Sequence, residues 1–136
     1  MKKISFAIAS IVVVSALTLT AAAQTHQLGK ANIPFSFSVH DQTYPAGTYE
    51  VRQIGQDLLR LQDVKSGTGV TLFGGSTIRE SVSLKLVFRQ YNEGRFLSAI
   101  QDNQLGYTAM VPPSQSEREI QKMRKHATIV ALQTTR

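Results

Sequence analysis

Between Asn32 and His40 every second residue is large and apolar: Ile33, Phe35, Phe37 and Val39 alternate with Asn32, Pro34, Ser36, Ser38 and His40. A helix would scatter those four side chains around its circumference, whereas a strand sets them on one face. Pro34 has no N–H to donate, so this strand is expected at a sheet edge or to begin there. Asp41-Gln42 and then Pro45-Ala46-Gly47 read as turns, because proline presets φ and glycine permits positive φ.

The same period recurs downstream. Thr48 to Ile54 is expected to point Tyr49 and Val51 inward, Glu50 and Arg52 outward, and Gly55-Gln56-Asp57 ends it. Leu58 to Gln62 follows, then a turn at Lys65 to Gly69, then Val70 to Phe73 closed by Gly74-Gly75. Val82 to Tyr91 is the longest run, with Val82, Leu84, Leu86 and Phe88 on one face and Lys85 and Arg89 on the other. Asn92-Glu93-Gly94 makes a hairpin loop into Arg95 to Gln101, where Phe96 and Ile100 share a face. Leu105 to Val111 alternates again through Leu105, Tyr107, Ala109 and Val111. Turn signals at this spacing predict an antiparallel meander, since parallel crossovers need longer connections.

Pro112-Pro113 changes the pattern. Ser116 followed by Glu119 fits a capping box, predicting a helix from about Glu117 to Lys125 with Ile120 and Met123 on one side. Ala127 to Gln133 is then a closing strand, apolar on both faces and so expected to be central or covered by that helix. The predicted class is all-β with one short C-terminal helix, an antiparallel meander forming a small barrel or a two-layer sandwich. The barrel is favoured, because closure removes exposed edges.

Composition places this chain among globular proteins: of 136 residues, 42% are hydrophobic and 18% charged, with no Cys and no Trp. Its start reads differently from the rest. Met1-Lys2-Lys3 is positive, Ile4 to Leu19 is apolar, and Ala21-Ala22-Ala23 ends the run, the three parts of a secretory signal peptide. Cleavage after Ala23 leaves residues 24–136 as a single β-rich domain. An uncleaved anchor is the alternative, since Ile4 to Ala23 is long enough to cross a bilayer; the hydroxyl residues and terminal alanines favour cleavage. No Cys follows the run, which argues against a lipoprotein. Loss of Lys2 and Lys3 lowers the formal charge from +6 to +4, which aids solubility but is no nucleic-acid signature. A periplasmic or secreted location is expected, with no transmembrane span after signal cleavage.

Reactive groups are sparse. His26, His40 and His126 fall in an N-terminal tail, at a strand end and at a helix end, without metal-ligand spacing. Asp41, Glu50, Asp57, Asp63, Glu80, Glu93 and Asp102 sit mostly in turns, where carboxylates bond nearby backbone N–H groups. There is no G-x-S-x-G elbow, and Gly67-Thr68-Gly69 and Gly74-Gly75 lack the context of a phosphate loop. Lys122, Arg124, Lys125 and His126 form a basic cluster, read as complementing the helix dipole against Glu117 and Glu119. Arg79, Lys85, Arg89 and Arg95 could form a second basic stripe across the hairpin, without the aromatic interleaving that base stacking needs beyond Tyr91. No catalytic, cofactor-binding or metal-ligating residue is assigned, and no cofactor is expected.

Several segments together carry a resemblance. They are Ile33-Pro34-Phe35-Ser36-Phe37, Pro45-Ala46-Gly47-Thr48-Tyr49-Glu50-Val51, Leu86-Val87-Phe88-Arg89-Gln90-Tyr91, Phe96-Leu97-Ser98-Ala99-Ile100, and Pro112-Pro113-Ser114 with Ser116-Glu117-Arg118-Glu119. The chain resembles a family of small exported proteins of unknown function from soil bacteria, over most of its mature length. Members often carry Trp after the Ile of the F-L-S-x-I strand, where this chain has Gln101. The resemblance implies an edge strand, a turn, a central hairpin and a capped helix, but no activity and no catalytic residue. The expectation is therefore an exported, non-catalytic β domain acting through its surface in the periplasm or envelope, with an envelope component as a possible partner. The alternative is a barrel-type carrier of a small apolar ligand, against which the large side chains of Phe35, Phe37, Leu86 and Phe88 already weigh. An outer-membrane barrel needs longer strands, and a hydrolase needs a cleft with converging carboxylates.

Overall fold

The computed structural model describes residues 25–74, 83–102, 108–123 and 125–135, so the expected export segment, Arg79, Glu80, Val82, Leu105, Tyr107 and Arg124 lie outside the described residues. Ten strands and one helix are described: β1 His26–Ile33, β2 Phe37–Val39, β3 Gln42–Tyr44, β4 Gly47–Gly55, β5 Leu58–Asp63, β6 Gly69–Phe73, β7 Leu84–Gln90, β8 Arg95–Asp102, β9 Thr108–Met110, α1 Gln115–Lys122 and β10 Thr128–Gln133. They form two sheets, one ordered β1-β4-β5-β6 and the other β10-β7-β8-β2-β3, with β9 on the β2 side of β8. The fold is a two-layer sandwich, and the favoured barrel is corrected. Besides packing face to face, the two sheets are hydrogen-bonded at a seam where Lys30 of β1 and Thr135 exchange backbone N–H···O bonds of 2.6 Å beyond the end of β10.

The alternation from Ile33 to Val39 holds, but it spans two strands rather than one. Pro34 to Ser36 form a corner that takes the chain from the β1 sheet to the β2 sheet, and Ile33, Phe37 and Val39 are buried on both sides of it. The missing N–H of Pro34 suits a residue that leaves one ladder before joining the next. The corner also corrects the simple meander. It delivers β2 beside β8, where Ser38 and Phe96 pair in parallel, a contact between strands distant in sequence that needs no short crossover.

Between the sheets the inward faces of β2, β3, β4 and β7 bring four rings together. Phe37 stacks on Tyr44 at 5.6 Å and meets Tyr49 and Phe88 edge-on at 5.2 and 5.4 Å. Leu59, Leu61, Leu72, Leu84, Leu86, Leu97 and Ile100 complete the layer. Each such side chain contributes about 1.5–3 kcal/mol by leaving water.

Two further expectations change. β10 is an edge strand, paired to β7 alone, with Ile129 62% exposed and only Val130 and Leu132 packed on the core. The helix begins two residues earlier than predicted, at Gln115, with Ser114 as its N-cap: Ser114 Oγ accepts from Glu117 N at 3.3 Å. Ile120 faces the sheet, but Met123 is the C-cap and lies 60% exposed. A tertiary contact selects this register, as the site below shows.

Candidate functional site

Helix α1 lies on the outer face of the β7–β8 hairpin, where Ile120 joins Tyr91 and Phe96 in a small cluster apart from the main core. Beside it sits the best-built polar group among the described residues. Glu117, only 1% exposed, receives Arg89 Nε on Oε1 at 2.5 Å and Arg89 Nη2 on Oε2 at 3.0 Å. The same guanidinium donates to Ser98 Oγ at 2.8 Å and to the Val111 carbonyl at 3.2 Å. Tyr91 donates its hydroxyl to Glu117 Oε1 at 3.0 Å and accepts from Gln121 Nε2 at 3.0 Å. Burial pushes the Tyr91 phenol above its ordinary value.

The alternation of β7 puts Arg89 on the face opposite Leu86 and Phe88, as predicted, but among the described residues Arg89 and Arg95 do not join in the expected basic stripe. Arg89 is held inside by the helix, while Arg95 lies over the Phe35 ring at 4.7 Å and donates to Gln90 Oε1. A planar fork grips both carboxylate oxygens at once, which fixes orientation as well as charge. Both Glu117 oxygens are engaged and the side chain is buried. The cluster is a clamp, holding helix to sheet.

A second clamp acts at the helix start. His40 and Asp41 form the two-residue β2–β3 turn, both with positive φ (49° and 64°), the geometry of a tight hairpin. That turn carries the Asp41 carboxylate to the first N–H groups of α1: Gln115 N donates to Oδ2 at 3.2 Å and Ser116 N to Oδ1 at 3.1 Å. Hydrogen bonds from the side chain and backbone of Ser116, from Ser114 and from Gln115 hold the Asp41 carboxyl down at about 2. Asp41 therefore caps a distant helix rather than its own turn, and Ser116 is its donor rather than the N-cap.

The remaining titratable groups also have structural partners. Asp63 accepts from Lys65 N at 2.8 Å and Ser66 Oγ at 3.1 Å, and these bonds, the Lys65 N–H foremost, lower its pKa. Glu50, expected outward, points outward yet is buried beneath neighbouring side chains, with Arg52 Nε 2.7 Å from Oε1. Lys122 pairs with Glu119 at 2.8 Å, as the helix reading implies, and Lys125 pairs with Glu93 across to the β7–β8 loop. His26 lies in β1 rather than in a tail, His40 is in the turn and His126 lies beyond the helix end, all exposed. Among the described residues no three His, Cys, Asp or Glu side chains gather to hold a metal ion, and no helix is long and apolar enough to cross a membrane.

Sequence reasoning missed both clamps. The signal for the first was a charged residue at each end of a long gap, Arg89 within an apolar strand and Glu117 early in the helix. No family model matches the chain, and no curated protein or solved structure matches it.

Proposed function

We propose that this protein is an exported, non-catalytic β-sandwich domain that acts through its surface in the periplasm or envelope. The observation that carries the reading is the use to which its polar groups are put: Arg89, Tyr91, Glu117 and Asp41 are engaged in fastening α1 to the second sheet. A general acid or base needs a proton partner within reach in an open site, and Glu117 faces Arg89 and Tyr91 instead. Export is supported by the tripartite pattern of Met1 to Ala23. The carrier alternative drew on a hollow barrel, and the rings of Phe37, Tyr44, Tyr49 and Phe88 fill the space it requires.

Cell fractionation with N-terminal sequencing of the recovered protein tests this. The expected outcome is a chain starting at Gln24 in the periplasmic or extracellular fraction. A chain that keeps Met1 in the cytoplasm overturns the reading.

A further inference from the structure

On the outer face of the first sheet, strand register lines up Gln27, Arg52, Arg60 and Thr71 in one row across β1, β4, β5 and β6. Arg52 and Arg60 are direct cross-strand partners. Like charges placed opposite each other on a sheet destabilise it. The neighbouring row holds Lys30, Glu50 and Gln62, so on this face Glu50 is the single carboxylate among the described strand residues against three cations. Its contact with Arg52 is an ion contact off the N–H axis: Arg52 Nε is buried and has no hydrogen-bond partner among the described residues.

We infer that this row binds a linear polysaccharide bearing carboxylates, laid across the strands. The inference rests on the surface-acting reading above and names the partner class. Adjacent strands lie about 4.8 Å apart, close to the length of one pyranose unit, so a chain crossing the sheet sets consecutive sugars over consecutive strands. Carboxylates on neighbouring sugars then meet the Arg60 fork and the Nη end of Arg52, whose Nε is buried against Glu50. A polyanion between the two arginines also relieves their mutual repulsion. At the ends of the row, the Gln27 amide and Thr71 hydroxyl suit sugar hydroxyls as donors and acceptors. Phe73 is 82% exposed opposite Leu58 on the same face and offers a ring to a sugar's C–H side. One ring is too little apolar surface to enter a bilayer, and single-stranded nucleic acid calls for several interleaved aromatics.

The test titrates the protein, purified as its own cells process it, with sodium polygalacturonate and with neutral dextran at low salt. Binding to polygalacturonate alone is expected, abolished by ~0.5 M salt. The R52Q/R60Q variant is expected to weaken binding by roughly tenfold or more, the loss of two arginine–carboxylate contacts. K85Q/K122Q removes equal charge elsewhere and leaves binding unchanged. R60Q alone checks the fold: it is at least as stable as the parent in urea because it ends the Arg–Arg opposition, yet it binds less. Absence of binding to polygalacturonate, an equal loss in K85Q/K122Q, or stronger binding to anionic vesicles or DNA overturns the inference. A periplasmic protein that ignores polygalacturonate sinks this inference alone, whereas a cytoplasmic protein that binds it sinks only the export reading.

Discussion

Arg89 grips Glu117 through both carboxylate oxygens, at 2.5 and 3.0 Å, beneath a helix whose buried apolar contribution is Ile120. Removing one member of a buried pair leaves the other charge without compensation, and this cost exceeds the pair's own net worth. Glu117→Leu is therefore expected to destabilise the fold by about 3–5 kcal/mol. Adding Arg89→Met should recover part of that loss, since an apolar pair needs no desolvated charge, while Ser98 Oγ, the Val111 carbonyl and the Tyr91 hydroxyl lose a partner. Urea midpoints of the single and double variants check this, and a double variant no better than the single one would refute it.

How much of this was legible beforehand differs by element. Tyr49, Val51, Leu84, Leu86 and Phe88 were placed inward by alternation alone and are all buried, because a period of two survives any arrangement of sheets. The same property hid the corner at Pro34: alternation continues from Ile33 to Phe37 while the chain changes sheet. The cap was ambiguous for a different reason. Ser114-x-x-Glu117 and Ser116-x-x-Glu119 both satisfy the local pattern, and Arg89, 28 residues away, decides between them. Arg52 was readable as outward, but its position opposite Arg60 depends on the irregularity between Gln53 and Gly55, which the turn residues alone do not specify.

Asp41 gives the fold an acid dependence of known sign. Hydrogen bonds led by Ser116 lower its pKa from 3.8 to about 2, so its contribution is complete above pH 4, where the unfolded chain is also ionised. It is lost as pH falls toward 2, where the folded carboxylate takes up its proton. Asp41→Asn should therefore lower stability at neutral pH, and the gap to the parent should narrow on acidification through this window. Asp63, shifted the same way, keeps a residual slope in the variant. Denaturation curves at several pH values check both; a gap that stays constant down to pH 2 counts against the Asp41 cap.

Tyr49 adds a dependence on the alkaline side, as the raised Tyr44 and Tyr91 phenols also do. Burial first, then the nearby Asp63 and Tyr44, push its phenol up to about 12, while its hydroxyl donates to the Pro45 carbonyl at 2.7 Å. A raised folded pKa means stability present below pH 10 and lost as pH rises toward 12. Tyr49→Phe should cost about 0.5–1 kcal/mol at neutral pH for the lost hydrogen bond, because the exposed Pro45 can turn its carbonyl to water. It should also remove a step near pH 12 from a phenolate absorbance titration. Persistence of that step in the variant would assign it to another tyrosine.

The seam between the sheets depends on Gly29. A Cβ there would stand 2.7 Å from Thr134 Oγ1 and 2.9 Å from Thr134 Cβ, and Thr134 is no free surface residue. Its hydroxyl donates to the Leu84 carbonyl at 3.1 Å and accepts from Leu84 N at 3.2 Å, tying the chain end to β7 while Thr135 pairs with Lys30. Gly29→Ala must push Thr134 away from Leu84 or β1 away from Thr135, and overpacking of this kind costs about 1–3 kcal/mol. Hydrogen exchange separates the seam from a general loosening: the amides of Lys30 and Thr135 should lose protection before those of β4 and β5. Thr134→Ala removes Oγ1, the nearest colliding atom, and with it the bonds to Leu84, so it should cost less in a Gly29→Ala background than in the parent. An equal cost in the two backgrounds would place the strain elsewhere than at Thr134.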